Sequence, residues 1–361
     1  TNVLLNHVIS GEVTSEDLIG LGSGYTSTLA TGAGDQNVSL FFDASGDVIF
    51  NGVSTVITPD VKALNGIVHV VNAVIDIPNI VDHAIANPGL TSLVGALTDG
   101  GNTTFTDLLS NEEETFTVFA PGNDAFSAFT NPNSNDLNAI LSNHVVVGAA
   151  AFSSDLTNSY VNTAAEFAAD ENLSLYINTD DGVTLNGTSS VVTADIVASN
   201  GVIHTVNAVI DLPTVVTFAV ADPNFSTLVQ ALTELTPSTD FVSVLSAQDG
   251  AGSDPFTVFA PTNAAFDALA SIPAEADLIP ILQHHVVAGA NIRSGDLSDG
   301  ATATTLEGDM ITINLPGTGD NIADITDGAG NTGIGIDAVD VQAINGVIHV
   351  VDTVLIPNTT N

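Results

Sequence analysis

The chain has 361 residues, 44% of them hydrophobic, so it is long enough to bury two or three cores. Its 42 Asp and Glu residues face only two Lys and Arg residues, and this net charge of −40 excludes nucleic acid and anionic membrane surfaces as partners, since both are bound by clustered cations. The absence of cysteine excludes a disulfide framework and a thiol nucleophile.

Residues 1–78 contain two segments that recur later in the chain. The first is Leu-Leu-Asn-His-Val at residues 4–8, with His7 at its centre. The second covers residues 65–78 and predicts a turn at Asn-Gly, a buried strand that carries His69, and a stop at proline. Between them, the apolar residues 38–42 and 48–50 flank an Asp-rich turn and predict a β-hairpin.

Residues 79–213 repeat this order and extend it at the front. Apolar positions at helical spacing come first, and Phe-Thr-Val-Phe-Ala-Pro at residues 116–121 then predicts a strand that ends at proline. Asn123 is a predicted N-cap for the following helix. The central histidine of this copy is His144, and its strand histidine is His204, 135 positions after His69.

Residues 214–361 give the whole pattern again, with Thr262 as the predicted cap and Asn263 beside it. The central histidine is His285, and the strand histidine is His349, 145 positions after His204. This copy alone carries an insert rich in Gly and Asp, at residues 317–335.

Repeats of this length indicate tandem domains, because solenoid units run to only about 20 to 50 residues. We predict the C-terminal half of a domain at residues 1–78 and complete domains at 79–213 and 214–361. No linker separates them, since Pro78 abuts Asn79 and Pro213 abuts Thr214. Such short junctions stiffened by proline favour a semi-rigid rod.

The strand histidines are the first candidates for chemistry. His69, His204 and His349 share strand parity with the more apolar positions, which predicts a neutral core imidazole that is hydrogen-bonded to backbone. The alternative pairs each of them with the central histidine of its copy as a metal or pH-sensitive site. Spacing does not decide between the two.

The acidic loops are the second candidates. Oxygen-rich turns suit calcium, and the insert of the third copy, with Asp320, Asp324 and Asp327, is the best candidate for a calcium site. None of the loops matches the twelve-residue calcium loop with its closing glutamate, so hairpin turns are the competing interpretation. No serine has the glycine spacing of a nucleophile elbow, and we therefore predict no enzyme.

The three recurring segments resemble the signature blocks of the fasciclin domain family, in matching order across the whole chain. The resemblance covers the histidines His7, His69, His144, His204, His285 and His349, together with Asn123 and Asn263. It departs from the family at Gly122, where threonine is usual, and at Asn6, Asn143 and His284, where tyrosine commonly precedes the central histidine. These last departures argue against integrin binding of the animal type.

The resemblance implies an α+β fold of tandem fasciclin domains, each a β-sandwich-like wedge with packed short helices. It also implies secretion or a cell-surface location, and a role in adhesion or extracellular matrix through protein or glycan contacts. We expect no cofactor beyond weakly bound calcium. Since no apolar run reaches the about 18 residues of a membrane span, we expect any targeting segment or anchor to lie outside this sequence.

The expected function is that of a non-enzymatic extracellular adhesion or structural protein, as the subunit of a surface fibre, matrix or biofilm. Half a domain at residues 1–78 predicts exposed apolar strands, so we expect self-association in which a neighbouring copy complements this half. A cell-surface protein or polysaccharide is the other expected partner. The alternative is a soluble surface module that binds glycan or calcium and does not polymerise.

Overall fold

The computed structural model describes residues 1–101, 103–248 and 255–358, and its fold is α+β. The chain divides into two compact units. The first comprises residues 1–157, 179–184 and 189–210, and the second comprises residues 158–178, 185–188 and 211–361. The division falls inside the middle copy, so the boundaries of the compact units do not coincide with the boundaries of the sequence repeats.

The first copy forms a five-stranded antiparallel sheet in the order β1-β2-β3-β4-β5. Helix α2 has Thr14 as its N-cap, and the side chains of Thr14 and Asp17 form a reciprocal capping box. Apolar residues of one sheet face pack on α2 through Leu18, Leu40 and Phe42. The elements of this copy are α1 Asn2–Leu5, α2 Ser15–Leu21, β1 Ser23–Thr31, β2 Asn37–Asp43, β3 Ile49–Phe50, β4 Ser54–Ala63 and β5 Gly66–Val71.

The middle copy adds the helices and the strand that the first copy lacks. Its elements are α3 Ile80–Ala86, α4 Thr91–Leu97, α5 Thr104–Leu109, β6 Phe116–Pro121, α6 Asn123–Ala128, α7 Leu137–Ser142, β7 Val145–Val147, β8 Ser159–Ala168, β9 Glu171–Asn178, β10 Thr184–Leu185, β11 Ser189–Val197 and β12 Gly201–Val206. In the first unit, β6 runs parallel to β12 and antiparallel to β7. Every residue of β6 is buried, and all of them except Thr117 are apolar, as is typical of a strand that is covered on both faces.

The third copy lies in the second unit and forms a seven-stranded sheet in the order β14-β13-β19-β18-β17-β16-β15. The insert contributes strand β17 to this sheet. The elements are α8 Val215–Ala221, α9 Ser226–Thr233, α10 Phe241–Leu245, β13 Phe256–Pro261, α11 Asn263–Asp267, α12 Glu275–His284, β14 Val286–Ala288, β15 Thr302–Thr304, β16 Met310–Asn314, β17 Ala323–Thr326, β18 Ile334–Ala343 and β19 Gly346–Val351. Within the described ranges, no helix has the length and apolar character needed to cross a membrane.

The asparagine of each Asn-Gly turn connects the sheet to the helices in the two complete copies. Asn345 is buried, and its amide donates to the carbonyls of Leu245 and Ala247 at 2.7 and 3.0 Å. Its side-chain oxygen accepts the N–H of Val215, at the start of α8, at 3.0 Å. Asn200 holds the equivalent groups of the middle copy, namely Ile80 N, Leu109 O and Asn111 O.

Inside each unit, the β-hairpin of one copy packs on the framework of the next. In the first unit, Val197 N donates to the hydroxyl of Ser39 at 2.9 Å. In the second unit, Gln342 N donates to the hydroxyl of Ser174 at 3.0 Å. Tyr160 adds a hydrogen bond from its hydroxyl to the buried carboxylate of Asp222 at 3.0 Å. Consecutive copies are therefore joined by a repeated backbone-to-serine contact as well as by the chain.

Candidate functional site

The strand histidines of the complete copies lie in the core with fixed tautomers. The Nε2–H of His204 donates to the carbonyl of Ala151 at 2.9 Å, and that of His349 donates to the carbonyl of Ile292 at 2.8 Å. Because a carbonyl only accepts, Nε2 carries the proton and Nδ1 is left as an acceptor. The Nδ1 of His204 accepts the N–H of Asp195 at 3.2 Å. Burial lowers the pKa of both imidazoles, so both are neutral.

His69 makes the same contacts in the first copy but is only half-buried. Its Nε2–H donates to the carbonyl of Val13 at 2.9 Å, and its Nδ1 accepts a long 3.5 Å bond from Asp60 N. All three strand histidines therefore hold backbone, as the parity of the strand predicts.

A serine and an aspartate lie beside each strand histidine, and sequence analysis missed both. Asp60, Asp195 and Asp340 each occupy a left-handed backbone conformation, with φ of 57°, 61° and 62°, where the pairing of two strands shifts register. Each aspartate stands nine positions before its histidine, and this constant spacing was the available signal. The serine has no constant spacing.

Each aspartate carboxylate takes two hydrogen bonds from its serine. Asp195 accepts from Ser153 N at 2.8 Å and from Ser153 Oγ at 2.5 Å. Asp340 accepts from Ser294 N at 2.8 Å and from Ser294 Oγ at 2.5 Å. Asp60 receives the same pair from Ser15, and these bonds hold the pKa of its carboxyl below the usual value. The three copies thus share one Ser-Asp-His cluster.

The order of contacts in this cluster differs from that of a catalytic triad. In a triad, the histidine lies between the serine and the aspartate and takes the serine proton. Here the hydroxyl of Ser153 donates to Asp195, and the Nε2–H of His204 is directed to a main-chain carbonyl. The arrangement fixes the bulged strand to the preceding loop, and it gives the serine no base.

The central histidines join a helix end to the segment that follows the histidine strand. In His144, Nδ1–H donates to Ile140 O at 2.8 Å and Nε2 accepts Ile210 N at 2.9 Å. His285 repeats this with Ile281 O at 2.8 Å and Leu355 N at 2.9 Å. Burial lowers the pKa of each to about 4. Their ring nitrogens are therefore both engaged by backbone, and a metal at the predicted histidine pairs would have to displace those bonds.

The first central histidine, His7, makes the same bonds while exposed, to Val3 O at 2.8 Å and from Ile75 N at 3.0 Å. Its neighbour Asn6 is buried and donates to Asp76 O at 2.8 Å. This contact gives a reason for asparagine at a position where the family commonly has tyrosine.

The signature asparagines Asn123 and Asn263 each bind the first turn of another helix, whereas Asn123 was predicted to cap its own helix. Asn123 is the first residue of α6, and the N-cap position belongs to Gly122, so the predicted cap at Asn123 is wrong. Its side-chain oxygen instead accepts Ser92 N at 2.9 Å, at the beginning of α4. Asn263 does the same for Thr227 N at 2.9 Å, while the predicted cap at Thr262 is confirmed by its bond from Ala265 N.

The structure places the three aspartates of the insert in different roles. Asp320 is exposed in a turn. Asp324 is buried and accepts Asn321 Nδ2 at 2.9 Å and Thr318 N at 3.0 Å, and these bonds lower its pKa. Asp327 is buried and accepts Asn331 N and Ile356 N at 2.8 and 2.9 Å. In the described part of the chain, no group of three or more His, Asp or Glu is arranged to hold a metal ion.

Calcium binding at the insert stays a prediction, and titration calorimetry with a chelator control tests it. The carboxylates of Asp324 and Asp327 already hold backbone, so any binding is expected to be weak, with a dissociation constant in the region of about 10⁻³ M. Replacement of Asp320 by asparagine should weaken it further. No heat and no shift in Tm on adding calcium would end the hypothesis.

His284 stands where the family commonly has tyrosine, and its ring accepts a hydrogen bond from the backbone of the insert. Its Nε2 accepts Gly328 N at 3.0 Å, and its Nδ1–H points to Thr305 Oγ1 at 3.1 Å, with Glu307 Oε2 at 3.4 Å. The ring is fully buried. Sequence analysis found the substitution but not its reason, because the insert and His284 are 44 positions apart.

The α+β copies, each with the same Ser-Asp-His cluster, define a tandem-repeat protein whose buried polar side chains hydrogen-bond to the backbone. The chain belongs to the fasciclin domain family, because the model of the Fasciclin domain matches residues 1–78, 88–213 and 223–357.

Several curated proteins are similar to this chain. The fasciclin-like arabinogalactan protein of Arthroderma benhamiae is 32% identical over 45% of this chain, and human periostin is 28% identical over 77% of it. The cell surface glycolipoprotein MPB83 of Mycobacterium bovis is 35% identical over 40% of this chain. The matches span 37%, 32% and 60% of those three proteins.

Among solved structures, a FAS1 domain pair from the insect cell adhesion molecule Fasciclin I is similar with a TM-score of 0.47 and 20% identity. The match covers 74% of this chain and 97% of that one.

Proposed function

We propose that this chain is a non-enzymatic adhesion or structural protein of the cell surface or extracellular matrix, and that it is the subunit of a surface fibre. The observation that carries the proposal is the distribution of exposed apolar side chains. Among the described residues, 12 of the 22 exposed large hydrophobic side chains lie in residues 1–78. A concentration of this kind marks a surface for association.

The apolar surface of the first copy is defined by Val53, Ile57, Val61, Leu64, Val68 and Val70, with exposed fractions from 41% to 109%. The equivalents of Val61 and Val68 in the middle copy, Ile196 and Ile203, are each 1% exposed. These two strand positions are therefore buried in the middle copy and exposed in the first. Self-association that covers these positions removes apolar area from water, at about 25 cal/mol per Å².

Charge sets the conditions of assembly. Copies that each carry a net charge of −40 repel one another, and the repulsion reaches about 30 Å at 0.01 M salt but only about 3 Å at 1 M. A saline or divalent-rich medium therefore favours association. The relatives support the adhesive role through their family and, for one of them, through a name that places it at the cell surface.

Electron microscopy of the purified protein at low and high salt tests the proposal. We expect filaments at high ionic strength and dispersed particles at low ionic strength. Replacement of Val61 by aspartate should abolish the filaments, because it puts a charge in the apolar surface. The matched control is Val192→Asp, since Val192 is 67% exposed in the middle copy and lies outside that surface. Filaments that survive V61D, or monodisperse particles in every salt, would contradict the fibre.

The rival function is a soluble module that binds a glycan, and one cleft favours it. The first unit holds an open polar cleft of about 340 Å³, lined by Gln36, Asn37, Ser154 and Asp155 with the ring of Phe152 at its wall. Amide and carboxylate groups beside one aromatic ring suit sugar hydroxyls. Dispersed particles that bind an immobilised polysaccharide, and lose that binding with Asn37→Ala, would favour this function.

A further inference from the structure

The outer edge of strand β5 lacks the parallel partner that its equivalents have. In the middle copy, β12 pairs in parallel with β6, with Gly201 opposite Phe116 and His204 opposite Phe119. In the third copy, β19 pairs in parallel with β13 in the same register. Strand β5 ends its sheet, and within residues 1–101, 103–248 and 255–358 only β4 pairs with it. A sheet edge of this kind is a template for a further strand.

A groove lies where the missing strand would run. It has a volume of about 320 Å³ and is lined by His7, Ile9, Val13, Leu18, Ile67 and His69, all within the first unit. Residues 8–10 on one side of it correspond to β7, and β5 on the other side corresponds to β12. In the middle copy, β6 occupies the equivalent position between β7 and β12.

The backbone of β5 presents hydrogen-bonding groups to this groove. Strands β4 and β5 form a two-residue hairpin closed by Ala63 and Gly66. In the middle copy the closing pair is hydrogen-bonded, with Ala198 N donating to Gly201 O at 2.9 Å. The next pair of an antiparallel ladder is not hydrogen-bonded to its partner, so the N–H and C=O of Ile67 face away from β4. They face the groove.

The groups around the groove are equivalent to those that contact β6 in the middle copy. The rings of Phe119 and His204 are stacked with centroids 5.6 Å apart, and Phe259 and His349 stand at the same 5.6 Å. The backbone carbonyl of Asn200 accepts Phe116 N at 3.0 Å, and that of His144 accepts Phe119 N at 2.9 Å. The equivalent groups in the first copy belong to His69, Asn65 and His7.

We infer that this groove is a binding site for one parallel β-strand of the Phe-Thr-Val-Phe-Ala-Pro type, supplied from outside these 361 residues. The register of the complete copies places its first Phe opposite Gly66 and its second Phe on the ring of His69. The two strands of this type within the sequence, β6 and β13, are held in their own sheets, so a second copy has none to donate without unfolding. The site does not depend on fibre formation, because it rests on the edge of β5.

Peptide binding to the whole 361-residue protein tests the site. The probe is a fluorescent peptide with the sequence of residues 256–266, and the control peptide carries the F259D change, which removes the ring that stacks on histidine. We expect saturable binding of the first peptide, binding at least about tenfold weaker for the second, and slowed amide exchange at Gly66–Val71.

Two variants locate the binding, and one serves as their control. Ile67→Pro removes the N–H that faces the groove, and Val68→Asp charges a side chain that is 52% exposed in the free protein. Either should weaken binding at least about tenfold, while circular dichroism confirms that the variant is folded. Ile57→Ala lies on β4 outside the groove and should bind as the parent does.

Three results would overturn the inference. The first is no saturable binding up to about 1 mM peptide. The second is binding that both I67P and V68D leave unchanged, since the peptide would then sit elsewhere. The third is a dimer of the parent protein that protects Gly66–Val71 by itself, since a second copy would then be the occupant. The first two results do not bear on whether the protein forms filaments, which microscopy decides separately. The third would support self-association through the apolar surface, since Val68 and Val70 of β5 belong to that surface.

Discussion

Replacing Asn345 with alanine is expected to destabilise the second unit by roughly 3 to 9 kcal/mol, because three buried backbone groups lose their partner at once and each costs about 1 to 3 kcal/mol. The groups are the N–H of Val215 and the carbonyls of Leu245 and Ala247. The side chain of Asn345 is 1% exposed, so water does not replace it. Urea denaturation followed by circular dichroism measures the loss.

The repeat supplies matched controls for this prediction. Asn200→Ala should cost a similar amount in the first unit, since Asn200 is 3% exposed and holds the same three groups. Asn65→Ala should change the free energy of unfolding by less than about 0.5 kcal/mol, because Asn65 is exposed. Equal losses at all three positions would contradict the explanation, which assigns the effect to the helices that the first copy lacks.

Lowering the pH from 6.5 to 4 is expected to destabilise the protein by several kcal/mol through its buried histidines. Burial lowers the pKa of the central histidines His144 and His285, and of the buried His83 in α3, to about 4 in each case. Once unfolded, each imidazole titrates near pH 6.5, so below that pH the unfolded state binds more protons than the folded state. The stability that the neutral imidazoles confer is complete above pH 6.5 and is lost as the pH falls towards 4.

The size of the acid effect follows from the same shifts. One unit of pKa difference is worth about 1.4 kcal/mol, so each of the three histidines contributes about 3 kcal/mol by pH 4. Urea denaturation at half-unit intervals of pH measures the slope. His144→Gln should reduce the slope by about one proton, and the cost of its lost hydrogen bonds is measured separately at pH 8. A slope that is the same with and without His144 would contradict the role of this ring.

The repeats themselves show how much the sequence can predict. The apolar alternation around His204 and His349 predicted buried rings, and both are fully buried. The Phe-Thr-Val-Phe-Ala-Pro segments predicted strands, and they form β6 and β13. These predictions succeed because periodicity and proline act within a few residues along the chain.

The failures all involve contacts between residues distant in sequence. Asn123 looked like the cap of its own helix, but its side chain reaches Ser92 of another helix. Ser153 and Asp195 were not recognised because 42 positions separate them and the spacing of the serine varies between copies. The sequence likewise does not show that the carboxylate of Asp327, a predicted calcium ligand, accepts the N–H of Ile356, 29 positions further on; calcium binding there stays a prediction. A polar side chain has the same sequence signal whether it binds a ligand or a backbone group.

The sequence by itself determined the family and the α+β fold, because these depend on local patterns that are written two or three times. Only the tertiary structure decided what the repeated polar residues do. Whether His144, Asp195 or Asn345 is a ligand depends on which buried N–H and C=O groups lie beside it, and those groups come from distant parts of the chain. Because an unpaired N–H or C=O group is costly to bury, these side chains form hydrogen bonds with the backbone. At strand β5, by contrast, the N–H and C=O groups along one edge have no partner strand within the described residues.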